Sequence, residues 1–191
     1  MRIPHFLAIA ALSLAAGCAG KSATKPVEVL DEHTGMTVGS LKEPIELTPS
    51  AQGAAANYGK RTTFAYLGPL EWDRMGTIGY GLWVHVAPGG DPQPVNIRAP
   101  GAVTLFLDDG PIGLSPIDVP PLGFEPYRPV VSWGQTGYFD LSVEVLRKMA
   151  ASGKLELDVR ASNDSTMSFF PTRDSRPALQ QYLRDRGITA D

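Results

Sequence analysis

One cysteine, at position 18 of 191 residues, leaves nothing with which to form a disulfide inside the chain, and no cluster of thiolate metal ligands. Histidine is almost as scarce. Beyond residue 18 only His33 and His85 occur, far apart in sequence. A zinc site takes three or four His, Cys or carboxylate ligands, so no metal and no cofactor is expected. Basic charge is not in excess either: 17 Lys and Arg stand against 20 Asp and Glu, for a formal net charge of -3. Nucleic-acid binding rests on Lys and Arg neutralising phosphates, and nothing here supplies that surface. Long apolar runs are missing too. The longest, Phe6 to Leu14, is broken by Ser13 and falls well short of the ~20 residues needed to cross a bilayer.

That short run has flanks that give it another meaning. Arg2 precedes it, and the small residues Ala15, Ala16 and Gly17 follow it. A positive start, an apolar middle and small residues before a cut are the three parts of a signal peptide. An ordinary secretory signal needs no cysteine at this point, yet Cys18 stands there. Leu14-Ala15-Ala16-Gly17-Cys18 resembles the lipobox of bacterial lipoproteins. The favoured leucine of that motif lies three residues before the cysteine, where this chain has Ala15, with Leu14 one place early. The resemblance implies that the Cys18 thiol takes a diacylglycerol thioether, that residues 1–17 are removed, and that the new amino group is acylated. Two or three acyl chains anchor far more firmly than one. Ala19 occupies the position where an inner-membrane retention signal would be Asp. In a Gram-negative host the family rule then sends the protein to the outer membrane, with its domain facing the periplasm.

Removing residues 1–17 leaves 174 residues and takes away the Arg2 charge, so the net charge moves from -3 to -4. This length suffices for one domain with a sizeable core. Residues 18–25 read as lipidated cysteine and tether, and residues 26–191 as a single β-rich domain. Glycine (20) and proline (17) recur at intervals, which suits turns between short strands better than long helices.

Pro26–Asp31 and Met36–Ser40 read as strands joined by a turn at Gly35, and Ile45 and Leu47 alternate in a third. Residues 60–72 place Phe64, Tyr66, Leu70 and Trp72 on one parity, with Gly68-Pro69 predicting a bulge or an edge. Ile78, Tyr80, Leu82, Val84 and Val86 alternate beyond a turn at Asp73–Gly76. Val95–Ala99 reads as a strand, as do 103–107 and 112–114 around Asp108-Asp109-Gly110, a hairpin signal. Pro116–Pro129 reads as a stretch wrapping an edge, and Val130, Val131 and Trp133 as another strand. Leu141, Val145, Leu146 and Met149 then follow a helical period, with Asp140 as N-cap and Gly153 as stop. Leu155–Val159 and Met167–Phe170 resume as strands. A last helix starts near Pro177 and ends at Gly187. The expected architecture is mainly β, an antiparallel β-sandwich or open barrel with two short C-terminal helices.

The residue types that carry chemistry fit structural roles here. His85 falls opposite Leu82 and Val84, as a structural or surface histidine. Asp108-Asp109 has too few neighbouring oxygen ligands for calcium. Ser132 lacks the glycine two places earlier that a nucleophile elbow needs. Trp72, Trp83, Trp133, Tyr80, Tyr127 and Tyr138 suit a core or its rim, and the arginines from 173 to 186 suit a solvated helix face. Residues 19–191 resemble envelope lipoproteins of Gram-negative bacteria without a motif that singles out a functional family. The reading is a non-enzymatic, membrane-tethered module that binds or supports an envelope protein, another lipoprotein or peptidoglycan. The alternative is a small envelope hydrolase, with His85, Glu71, Asp73 and Ser132 converging, or an inhibitor of one presenting residues 87–94 or 109–116.

Overall fold

Two eleven-residue strands form the spine of the molecule. β4 (Phe64–Arg74) and β5 (Thr77–Ala87) pair antiparallel without interruption from Phe64↔Ala87 to Arg74↔Thr77. Met75 (φ +54°) and Gly76 (φ +86°) form the two-residue turn between them, both left-handed as in a type I′ hairpin. The Asp73 carboxylate accepts the Gly76 N–H at 2.7 Å and fixes the turn. The computed structural model describes residues 26–49, 63–87, 89, 95–118, 122–128, 131 and 133–188; Cys18 and the tether lie outside these.

The remaining strands extend this spine on both sides. They are β1 (Pro26–Asp31), β2 (Met36–Leu41), β3 (Ile45–Pro49), β6 (Val103–Leu107), β7 (Gly110–Gly113), β8 (Ser115–Pro116), β9 (Gln135–Asp140), β10 (Glu156–Arg160) and β11 (Thr166–Pro171). The main path runs β7-β6-β10-β11-β3-β4-β5-β9-β8, antiparallel throughout. β2 pairs with the second half of β4, beside β3, and carries β1 on its other edge. The two ends of the path are joined by the chain itself. β7 pairs with β6, Leu114 donates its N–H to the Val103 carbonyl, and two residues later β8 pairs with β9. One extended stretch thus bridges both ends, and the sheet is nearly closed into a barrel.

Alternation along each strand decides what fills it. Following the register, Val103 and Leu105, Leu157 and Val159, Phe169, Leu47, Ala65 and Leu67, Leu82, Val84 and Val86, and Phe139 share the inner face. All are fully buried. A Leu or Val withdrawn this completely stabilises the fold by roughly 1.5–3 kcal/mol. The helices α1 (Val143–Ala151) and α2 (Arg176–Asp185) pack on each other and add Leu146, Met149, Leu179, Tyr182 and Leu183 to the same core.

Several local expectations are corrected. Gly68-Pro69 makes neither a bulge nor an edge: it lies mid-strand, where β4 changes partner from β3 to β2. The aromatic parity of β4 faces away from the barrel interior, which is lined instead by Ala65 and Leu67. Val95–Ala99 makes only the single bridge Val95↔Ala161 before a turn. Val131 and Trp133 are not in a strand; Val130 lies outside the described residues. The strand there is β9, two residues later. Asp140 ends β9, and Ser142 caps α1 by accepting the Val145 N–H at 3.3 Å. The C-cap is Ser152, one residue before Gly153. Within Pro116–Pro129, Pro116 belongs to β8 and Tyr127 lies on the outer face of the sheet; residues 119–121 and 129 are outside the described residues.

Candidate functional site

Tyr66, His85 and Thr136 share one row across β4, β5 and β9, on the outer face; Gly68, Trp83 and Tyr138 form the next. Tyr127 and Gly134 cover these rows. Tyr127 sits over Gly68, where a Cβ would fall 2.2 Å from its ring, and its ring centroid lies 5.1 Å from that of Trp83. Its hydroxyl accepts the Leu41 N–H (3.0 Å) and donates to the Pro69 carbonyl (2.9 Å). Leu41 is the residue that would next pair with Pro69, but proline has no N–H to exchange. The phenol is inserted where the β2–β4 ladder gives out. Complete burial pushes its ionisation well above the ordinary tyrosine range, so it stays a donor.

His85 is 1% exposed. Its Nδ1 shares a hydrogen bond with Thr136 Oγ1 at 3.0 Å, and its ring stacks on Trp83 with an interplanar angle of 13°. Burial lowers its pKa, so the ring is neutral. Nε2 has no partner, and Gly134 closes over it: a Cβ there would stand 2.3 Å from this nitrogen. Trp83 Nε1 is also buried without a partner.

The carboxylates named with His85 are elsewhere. Glu71 occupies the row of Tyr80, on the opposite face, five residues or about 17 Å along β5. There it binds Arg186, whose Nε and Nη2 reach Glu71 Oε1 at 2.9 and 2.7 Å while Nη1 reaches Glu28 Oε2 at 2.6 Å. Gly39 makes room for this guanidinium; a Cβ there would lie 2.7 Å from Arg186 Cζ. Burial opposes the charge, but the bonds to Glu71 and Glu28 outweigh it and raise the arginine pKa. Arg186 is therefore a largely buried tie between α2 and the sheet rather than part of a solvated helix face. Asp73 is used in the β4–β5 turn, and Ser132 lies outside the described residues. His85, Glu71 and Asp73 do not converge.

The other candidates also hold elements together. Asp31 is 3% exposed and accepts from His33 N, Thr34 Oγ1 and Gly123 N, tying the 122–128 segment to the β1–β2 turn. The Thr34 bond, then that from Gly123, lowers its pKa. Asp108 accepts the Gly153 N–H at 2.6 Å, and Asp109 pairs with Lys148 at 3.0 Å, so the β6–β7 hairpin is fastened to α1. Residues 110–113 and 115–116, within the second loop considered for inhibition, are strands that close the barrel; of the first loop, 88 and 90–94 lie outside the described residues. Among the described residues no three His, Cys, Asp or Glu side chains group as a metal site, and no helix is long and apolar enough to cross a membrane. A groove of about 390 Å³ runs from Ser152–Leu155 to Arg173–Arg176.

One end of the sheet stands out for exposed apolar side chains. Leu30, Thr37, Asp73 and Ile78 form a row on one face, and Val29, Val38, Trp72 and Gly79 the next row on the other. Leu30 is 62% exposed, Ile78 53%, and Met75, at the turn beyond them, 97%. The Met75 signal was present in the sequence, since type I′ turns favour Asn, Asp or Gly at that position. Comparison with protein-family models, with curated proteins and with solved structures finds no match to this chain.

Proposed function

We propose that this protein is a lipid-anchored envelope protein, held through Cys18 to the outer membrane, whose barrel is a non-enzymatic binding or supporting module facing the periplasm. The anchor rests on the lipobox resemblance of Leu14–Cys18. The module reading is supported by one observation above all: the polar groups most suited to chemistry are used to join structural elements. Glu71 and Glu28 hold Arg186, Asp31 holds residue 123, Asp108 holds Gly153, and His85 faces Thr136 under Gly134. The partner is an envelope protein or peptidoglycan.

The test separates anchor from module. Mass spectrometry of the amino-terminal peptide from envelopes is expected to show acylated Cys18, with Cys18→Ser unprocessed. An unmodified cysteine in the wild type overturns the anchor. Cross-linking in intact envelopes, followed by co-sedimentation with purified sacculi, is expected to place the barrel on one envelope component. Envelope hydrolysis that is lost in His85→Ala, while that variant remains folded, would overturn the module reading.

A further inference from the structure

Five of the six large hydrophobic side chains exposed among the described residues lie on β1 or at the β4–β5 turn: Val27, Val29, Leu30, Met75 and Ile78. We propose that this end of the sheet dips into the surface of the bilayer that holds the Cys18 lipid; the proposal rests on the anchor reading. Apolar groups stand on both faces of this end and at the β4–β5 tip, while the β1–β2 turn beside that tip presents the exposed Glu32 and His33 for headgroup level. Leu30 and Ile78 point one way, Val29 and Val27 the other, and Met75 projects beyond both. A flat partner covers one face of a sheet. Immersion end-on covers both, which is what a lipid surface offers.

The backbone at the tip supports the same reading. Met75 holds φ +54°, a conformation that costs a non-glycine residue roughly 1–2 kcal/mol. The hairpin itself requires that conformation, and Asn, Asp or Gly would adopt it at less cost, so what the isolated fold leaves unexplained is the choice of a fully exposed methionine at this position. Arg74 is exposed beside it, placed to carry its charge to headgroup level while its stem lies along apolar surface. A depth of about 5–10 Å, that of an interfacial element, takes in Met75 and the Leu30–Ile78 row, and leaves Val27, about 17 Å behind Met75, above the headgroups.

The tether makes the contact reachable. Eight residue steps separate Cys18 from Pro26, a span of at most roughly 26–29 Å when extended. Pro26 is level with Leu41 and Pro69, six residues of strand or about 20 Å behind Met75. The span exceeds the setback, so lipid and tip can enter one membrane surface together.

Met75→Cys in the full chain tests this. Its side chain is free of the core, and a lipidated Cys18 has no thiol to compete for label. The purified lipidated protein would carry an environment-sensitive fluorophore at position 75 and be reconstituted into phosphatidylethanolamine–phosphatidylglycerol vesicles. Blue-shifted emission that is quenched by spin-labelled lipid is the expected result. Emission that stays aqueous, while mass spectrometry shows the lipid on Cys18, overturns the tip contact and leaves the anchor intact. A blue shift that grows with protein concentration and ignores the spin-labelled lipid assigns the patch to a second copy of the chain, and also overturns it. An unmodified Cys18 removes the tether and takes both readings with it.

Discussion

Replacing Tyr127 with phenylalanine removes one oxygen atom and leaves the ring over Gly68 and against Trp83. Two buried backbone groups then lose their only bridge, the Leu41 N–H and the Pro69 carbonyl. A buried polar group left unsatisfied costs about 1–3 kcal/mol. The two cannot satisfy one another without closing the gap that the phenol holds open. We expect a loss of about 2–3 kcal/mol, equivalent to a fall in Tm of roughly 5–10 °C at this chain length. Urea unfolding should show a lower midpoint with an unchanged slope, since the surface exposed on unfolding is the same. Native-state hydrogen exchange should show Leu41 losing protection beyond the global change. A loss below about 0.5 kcal/mol, the usual scatter of surface substitutions, would mean that β2 and β4 relax into direct contact, and would refute the relay.

Glu71→Gln should destabilise the fold by about 1–3 kcal/mol, because a largely buried guanidinium keeps only the exposed Glu28 as its charged partner; urea unfolding measures it, and an unchanged midpoint would leave Arg186 as ornament. His85 is held neutral, its pKa below 6.5 in the fold. The unfolded chain therefore binds more protons as pH drops, and stability should fall as pH is lowered through 6.5. His85→Asn should flatten that slope between pH 7 and 5, and a slope that persists assigns it to other groups. The Asp31 pKa is lowered from 3.8, so its contribution is present above that value and lost as pH falls below it. Asp31→Asn should be less stable than wild type at pH 7, with the difference shrinking below pH 3.8 in parallel thermal melts.

Period-two alternation made most of the barrel legible. The β4–β5 hairpin, the Asp-Gly turn of β6–β7 and the strands around residues 157 and 169 follow from it directly. β9 was hidden because Gly137 interrupts its pattern and its inner residue Phe139 sits one place before a polar Asp140. The face of β4 was ambiguous for a related reason. Both faces are covered, so Tyr66 and Trp72 looked as core-like as Ala65 and Leu67, and only the register with β3 and β5 distinguishes them. The Arg186–Glu71–Glu28 tie joins residues 115 and 158 positions apart, and the Tyr127–Leu41 bond spans 86. No local pattern encodes such pairings. The exposed tip was half visible: Met75 in a turn position is odd on its face, whereas the solvent exposure of Leu30 and Ile78 depends on where the sheet ends.

The pairing of β3 with β11 orders events in time. Leu47 finds its neighbour at Pro171, so the outer edge of β3 has no partner until nearly the whole chain has emerged amino-terminus first. Contacts this distant in sequence slow folding, and an open strand edge invites other chains meanwhile. A nascent chain stopped near residue 160 would be an unfinished sheet rather than a smaller barrel. Its β3 edge would need shielding by whatever escorts the polypeptide, and degradation of such truncated products should be far faster than that of the complete chain.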